Sequence, residues 1–356
     1  MAAKPDIVTL DQIGAFDTLI DARSPAEFAL DHLPGAINLP VLDDEERRIV
    51  GTLYKQTGAF EARRIGGAWV ARNIARHIEA VMQDRPAGWR PLVYCWRGGQ
   101  RSGAFALWLR QIGWAAAQLQ GGYKGYRRWV VEQLDALPPT LDWRVIAGPT
   151  GSGKTRLLQA LAARGAQVLD LEALARHRGS ILGAWPDGQP QPSQKAFDTA
   201  LVDALRRFDP ARPVWVEAES RKIGAVQLPE SLTRALQAAP RVLLQVPFAA
   251  RLALVLQDYA WLGRDPPALA QRLLALRGLQ SNETLARWQA WALAGQLPPL
   301  FAELMQLHYD PLYQRALARA AAAPVCTVTL PDLGAQALDR AATALLRDCA
   351  AAPAHP

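Results

Sequence analysis

The chain has 356 residues, with 40 Lys and Arg against 33 Asp and Glu and a net charge of +7. That is long enough for two domains, each with its own core. No apolar run could cross a membrane, and Met1 to Asp6 lack the apolar core of a signal peptide, so a cytoplasmic protein with no membrane partner is expected. The 3 cysteines, Cys95, Cys326 and Cys349, are odd in number and far apart, which argues against a disulfide framework. They form no CxxC pair or Cys/His cluster of the zinc-binding kind. Up to residue 140 there are 17 basic and 15 acidic residues, and beyond it 23 and 18. This mild basic excess permits a nucleic-acid partner, with salt-sensitive binding, without establishing one.

In chain order, Asp6–Leu10 and Thr18–Asp21 read as strands, and Arg23–Phe28 turns into a short helix. The segment 32–40 is a Pro/Gly-punctuated turn and strand. From Glu61 to Met82 the pattern is amphipathic, with Ile65, Trp69, Ile74, Ile78 and Val81 as core contacts. Leu92–Tyr94 then delivers Cys95 into a loop of Gly and Arg (Trp96, Arg97, Gly98, Gly99, Gln100, Arg101, Ser102), followed by a helix. A thiol at a helix N-terminus among arginines has what it needs to ionise. Gly113–Ala115 begins another short strand or turn, and a last helix follows Leu119–Trp129. Alternating strands and helices imply a parallel sheet, with Cys95 at the carboxyl end of its strand.

Four segments in this order, DARSPAEF (21–28), HLPGAINLP (32–40), YCWRGGQRSG (94–103) and LQGGYKGYRRW (119–129), resemble the rhodanese family. The resemblance implies that Cys95 carries sulfur or selenium. Five residues separate Cys95 from Arg101 where the common single-domain pattern has four. The wider loop is similar to that of Cdc25-type phosphatases, which share the fold and hold a phosphate. An added residue enlarges the ring of N–H groups and suits a phosphate-bearing donor.

Pro138 and Pro139 break the helix that precedes them, and the boundary they mark predicts domains at 6–137 and 143–349. Trp143–Ala147 reads as a buried strand. Gly148, Pro149, Thr150, Gly151, Ser152, Gly153, Lys154 and Thr155 follow, then an apolar helix. This is G-x-x-x-x-G-K-T in its strand–loop–helix setting: backbone N–H groups cradle phosphates, Lys154 neutralises them, and Thr155 can ligate Mg²⁺. Asp170, after the strand Val168–Leu169, is a metal or water ligand or a helix N-cap. Glu217, Glu219 and Arg221, at the carboxyl end of the strand starting at Val214, suit metal, substrate or a structural ion-pair network. Further strands are expected at 241–246 and 325–330. Residues 249–320 read as a helical insertion, with Asn282 capping one helix and Leu285, Trp288 and Ala292 on its buried face. His308–Tyr313 reads as a helix interruption, Cys326 and Cys349 as structural, and the tail beyond Ala337 as frayed.

The expected architecture is α/β: a rhodanese-like parallel-sheet domain, then a P-loop NTPase-like domain with a helical insertion. With Asp170–Glu172 leading to His177–Ser180, and with Glu219–Gly224, the order of segments resembles the tRNA 2-selenouridine synthase family. That resemblance implies a transferase acting on tRNA with wobble 2-thiouridine. In that family S-geranylation from geranyl diphosphate precedes selenium transfer from selenophosphate, and a selenophosphate-supplying enzyme is an expected partner. The P-loop is similar to that of tRNA isopentenyltransferases, which bind a prenyl diphosphate. On this reading Cys95 is the selenium-carrying nucleophile, and Arg97, Arg101 and the loop from Trp96 to Ser102 hold the donor's phosphate. Gly148, Thr150–Thr155 and Mg²⁺ would hold the diphosphate. Two alternatives stay open: an ATP-dependent tRNA sulfurtransferase, and a non-catalytic rhodanese module on a P-loop kinase or switch.

Overall fold

A computed structural model of the chain describes residues 7–318 and 324–349, so the N-terminal and extreme C-terminal segments read from the sequence lie outside the described residues. Two compact units are present. One takes in the chain up to Gln133 together with Lys195–Asp203, and the other takes the rest.

The first unit is built on a five-stranded sheet of β1 (Ile7–Val8), β2 (Thr18–Asp21), β3 (Ile37–Asn38), β4 (Pro91–Tyr94) and β5 (Ala117–Leu119). Its order is β1-β5-β4-β2-β3, and every pairing is parallel. The β4 residues are all buried, as expected of a parallel strand covered on both faces. Its helices are α1 (Pro25–Leu30), α2 (Asp44–Gln56), α3 (Ala59–Val81), α4 (Gln100–Ile112) and α5 (Gly122–Ala136). Ile20, Ile74, Val93, Phe105 and Leu109 centre the core.

Several local expectations are corrected. The first strand stops at Val8, because Thr9 caps a 3₁₀ turn over Leu10–Ala15. Gly113 terminates α4 in a left-handed conformation, φ 112°, so the next strand starts only at Ala117. Val81, at the end of α3, is 48% exposed and is no core contact. Helix α2 went unread because its apolar residues are few and none is buried.

The second unit carries a five-stranded parallel sheet in the order β12-β11-β6-β8-β7. In chain order its elements are β6 (Trp143–Ala147), α6 (Lys154–Ala162), β7 (Gln167–Leu169), α7 (Leu171–Ala175), α8 (Gln194–Leu205) and β8 (Val214–Glu217). The hairpin β9/β10 (Lys222–Ile223, Val226–Gln227), α9 (Glu230–Ala238) and β11 (Arg241–Gln245) come next. A helical run follows: α10 (Phe248–Asp258), α11 (Pro266–Leu273), α12 (Asn282–Leu293), α13 (Leu297–Leu304) and α14 (Asp310–Ala318). The chain returns to the sheet as β12 (Cys326–Thr329) and ends in α15 (Ala335–Cys349). Residues 195–203 of α8 group with the first unit.

Leu157, Leu161, Trp215, Val242 and Leu338 share the sheet core, and Leu273, Trp288, Leu300 and Phe301 a separate helical core. Ser281 rather than Asn282 caps α12, its hydroxyl accepting the Thr284 N–H. His308 lies in a π-helical turn, Met305–Tyr309, that joins α13 to α14. The alanine-rich segment after Ala337 is ordered helix as far as Cys349, because Ala337, Leu338, Ala341, Ala342 and Leu345 pack on the sheet core. Cys326 is half-buried against that core, and the side chain of Cys349 lies outside the described residues.

Loop closure in the first unit depends on Gly122, at φ +54°, where any Cβ would overlap the Cys95 carbonyl oxygen. Gly122→Ala is therefore expected to cost at least about 2 kcal/mol, combining backbone strain and overlap. Urea unfolding compared with the native chain measures it, and an unchanged midpoint would contradict this packing.

Candidate active site

Strand β4 ends at Tyr94 and delivers Cys95 into the turn that opens α4, leaving the thiol 3% exposed. The following glycine-rich segment holds this turn from the other side. Tyr123 N–H donates to the Cys95 carbonyl and Lys124 N–H to that of Trp96, both at 2.8 Å. The Ser102 hydroxyl donates to Cys95 Sγ at 3.1 Å, while Gln118 Nε2 donates to Ser102 Oγ at 2.9 Å. Arg101 Nη1 is tied to Glu27 Oε2 at 2.9 Å. Burial alone would push the Cys95 thiol up. The Ser102 hydrogen bond, the Arg101 charge and the Ser102 and Gly99 N–H groups outweigh it, and its pKa lies below the ordinary thiol value. Burial also pushes Glu27 up, but its bond to Arg101, the Arg101 charge, the Ser24 N–H and Arg47 bring it below the usual carboxylate range. The loop thus favours a thiolate beside a fixed guanidinium. Arg97, Gly99 and Gln100 are exposed around it, and Trp96 and Gly98 half-buried.

Residues outside the sequence-predicted set buttress this loop. The Trp96 ring lies 5.4 Å from that of Tyr123, whose hydroxyl donates to buried Asp31 at 2.8 Å. Thr199 of α8 donates to the same carboxylate at 3.1 Å, and Lys195 Nζ sits 6.0 Å from the Trp96 ring centre. Arg23 stacks 3.8 Å from the Tyr123 ring while paired with Asp21 at 2.6 Å. Arg127 and Asp198 form a further ion pair.

In the second unit β6 runs straight into Gly148–Thr155, with α6 beginning at Lys154. Gly151 has φ +78°, and a Cβ there would lie 2.7 Å from the Arg251 carbonyl oxygen, so the turn requires glycine. Lys154 Nζ donates to the Gly148 carbonyl at 3.0 Å. The Ser152 hydroxyl is buried with no hydrogen-bond partner among the described residues. Arg251 is 5% exposed; it donates to the Thr150 carbonyl at 3.0 Å and pairs through both nitrogens with Asp310 at 2.9 and 2.6 Å. Asp310, read from the sequence as part of a helix interruption, is therefore the partner that holds a P-loop strut.

Beside the loop, Glu172, Glu217 and Glu219 bring carboxylate oxygens within 4.8 Å of one another. Glu217 is fully buried; its Oε2 accepts the Thr155 hydroxyl at 3.0 Å and its Oε1 has no partner among the described residues. Burial, then neighbouring carboxylates, pushes Glu172 up to about 7 and Glu217 well above the ordinary value; burial likewise raises Glu219. An orphaned buried oxygen within a carboxylate trio fits a divalent cation, held by these residues with Thr155. Asp170 lies outside this trio: its carboxylate accepts the Ala173 N–H at 2.8 Å as the N-cap of α7, and its charge bears on Glu172 and Glu217. Arg221 is exposed ahead of β9 and is not brought into the cluster. Glu172, read from the sequence only as part of the stretch Asp170–Glu172 and given no role, is a member of the cluster. Arg178, within the His177–Ser180 stretch that carried the resemblance but given no role there, has a charge that bears on Glu172 and donates from Nη1 to the Asp258 carbonyl at 3.1 Å. A narrow apolar cleft also opens on P-loop Thr150, lined by Val255, Tyr259, Phe301, Leu304, Met305 and Tyr309 among others.

Fold and sites together define a class: an α/β protein joining an activated-thiol loop to a P-loop, each at the carboxyl end of a parallel strand. A family model described as a rhodanese-like domain matches residues 8–128, and one described as the tRNA 2-selenouridine synthase AAA domain matches residues 141–266. A protein named tRNA 2-selenouridine synthase from Bdellovibrio bacteriovorus is 33% identical over 349 residues, 85% of this chain and 89% of that one. Proteins of the same name from Nitrosomonas europaea (40% identity, 76% of this chain, 70% of that one) and Alcanivorax borkumensis (38%, 70% and 69%) are also similar. The chain belongs to the tRNA 2-selenouridine synthase family. No helix among the described residues is long and apolar enough to cross a membrane.

Two expectations follow. Glu172 titrates near 7 instead of its ordinary 4.5, so its charge opposes folding: stability falls as pH rises from 4.5 and the loss is complete above 7. Glu172→Gln should be more stable than the native chain at about pH 8 and equal to it at about pH 4.5, measured by urea unfolding with metal chelated. Asp310→Ala leaves the buried Arg251 charge unpaired and should cost about 3–5 kcal/mol. Calorimetry should also show weaker pyrophosphate binding, because the Thr150 carbonyl loses its strut.

Proposed function

We propose that this chain converts wobble 2-thiouridine of tRNA to 2-selenouridine with selenophosphate, by way of S-geranyl-2-thiouridine made from geranyl diphosphate. The observation that carries the reading is the Cys95 thiol, hydrogen-bonded by Ser102 and under the charge of Arg101 at the start of a helix, within a chain of this family. Alkylation turns a poorly leaving sulfur into a thiol that selenium can displace from C2 of the base.

For the first step, the thiouridine sulfur attacks C1 of the prenyl group, the C–O bond to diphosphate breaks, and N3 of the base gives up its proton. Lys154 and the N–H groups of Gly148 and Gly151–Thr155 stabilise the departing diphosphate. A Mg²⁺ held by Thr155 and the carboxylates of Glu172, Glu217 and Glu219 would supply further charge neutralisation. For the second step, Cys95 as thiolate is the nucleophile toward selenophosphate. Arg97, Arg101, Ser102 and the backbone from Trp96 to Gln100 receive the donor's phosphate.

Cys95→Ser should abolish selenation yet leave geranylation of thiolated tRNA within about twofold of native, since the groups that bind diphosphate lie elsewhere. Lys154→Ala should slow geranylation by at least about 100-fold, the scale of losing one charged stabiliser of a leaving group. Nucleoside analysis by liquid chromatography and mass spectrometry reads both products. Selenation at the native rate by Cys95→Ser would overturn the assignment.

A further inference from the structure

Selenophosphate offers a thiolate two electrophilic atoms, and the electron count separates them. Attack on selenium forms S–Se and breaks Se–P with the bonding pair left on phosphorus. Phosphite must then depart, or an external oxidant must remove two electrons. Attack on phosphorus forms S–P and breaks P–Se with the pair carried off on selenium. Selenide leaves, no atom changes oxidation state, and no co-reactant is needed.

We infer that Cys95 is a phosphoryl acceptor: its Sγ attacks the phosphorus of selenophosphate and releases selenide, instead of carrying selenium itself. The inference deepens, and rests on, the reading that this loop receives the donor. Selenide then displaces the prenyl thiol: C2–Se forms, C2–S breaks, and the departing sulfur takes the selenide's proton. Water attacks the phosphocysteine, S–P breaks, phosphate leaves with the water's oxygen, and the thiolate is restored.

The geometry suits phosphorus. Five residues, Trp96 to Gln100, separate Cys95 from Arg101, and the N–H groups of Gly99 and Ser102 bear on the sulfur, donors of the kind that an oxyanion beside it accepts from. Arg101 is fixed by Glu27 at 2.9 Å and presents a planar fork matched to phosphate oxygens. The Ser102 hydroxyl accepts from Gln118, and its own proton faces Cys95 Sγ at 3.1 Å, with the Gly99 carbonyl at 3.3 Å as the other acceptor. That hydrogen bond is the one a sulfur needs when it must leave phosphorus as a thiolate.

The test is a single turnover with selenophosphate and S-geranylated tRNA in heavy-oxygen water, quenched before completion. The expected adduct on the Cys95 peptide contains phosphorus and lacks selenium's isotope pattern in mass spectrometry. Phosphorus NMR should show phosphate bearing heavy oxygen. Ser102→Ala should still form the adduct but clear it at least about tenfold more slowly, because the leaving thiolate loses a hydrogen-bond donor. A selenium pattern on Cys95 with phosphite among the products would overturn the proposal while leaving the donor-loop reading intact. Undiminished selenation by Cys95→Ser would remove both.

Discussion

Making ionisation easier for a nearly buried sulfur is the constraint around which the first unit is arranged. Desolvation favours the neutral thiol, so every group that stabilises the anion must be in place before substrate arrives. The hydroxyl of Ser102 does so directly, Arg101 through its charge, and the start of α4 through its N–H groups. Each of these is itself held: Ser102 by Gln118, Arg101 by Glu27, and the turn by the N–H groups of Tyr123 and Lys124. Disturbing the supports changes the thiol even where they do not touch it.

The second unit meets the same problem with opposite sign. Its loop collects positive charge and N–H groups for phosphates, and beside them it buries three carboxylates. Burial first, and for Glu172 and Glu217 the neighbouring carboxylates as well, makes them hold a proton more readily than free glutamates. The P-loop is braced by Arg251, a guanidinium whose charge is balanced by Asp310. In both sites an arginine behind the reactive groups is held by a carboxylate, Arg101 by Glu27 and Arg251 by Asp310, so that removing either carboxylate would leave a poorly exposed charge unpaired.

What was legible beforehand follows from how far apart the partners lie in sequence. The Cys95 loop and Gly148–Thr155 could be read because strand, glycine-rich turn and helix are consecutive, and backbone geometry dictates the residues. The supports could not, because they pair across long separations: Arg101 with Glu27 over 74 residues, Arg251 with Asp310 over 59, Thr199 with Asp31 over 168. No local pattern marks such pairs. Asp170 stood open between ligand and helix cap because the local pattern suits both; it caps α7, the second of those readings, while its neighbour Glu172 joins the cluster. Ser281 displacing Asn282 as the cap of α12 is a one-residue slip of the same origin, since both side chains can accept a helix N–H.

The grouping of Lys195–Asp203 with the first unit has a consequence for biosynthesis. A chain emerging from the ribosome exposes its N-terminal residues first, and domains ordinarily fold as they are completed. Here Asp31 waits for the Thr199 hydroxyl, and Arg127 for Asp198. When Gln133 has been added, the thiol-bearing unit still lacks its last helix, and it gains that helix only after the whole phosphate loop has been synthesised. Nascent chains stalled between these two points would hold a reactive cysteine in an unfinished fold, so translation order itself couples the maturation of the two sites.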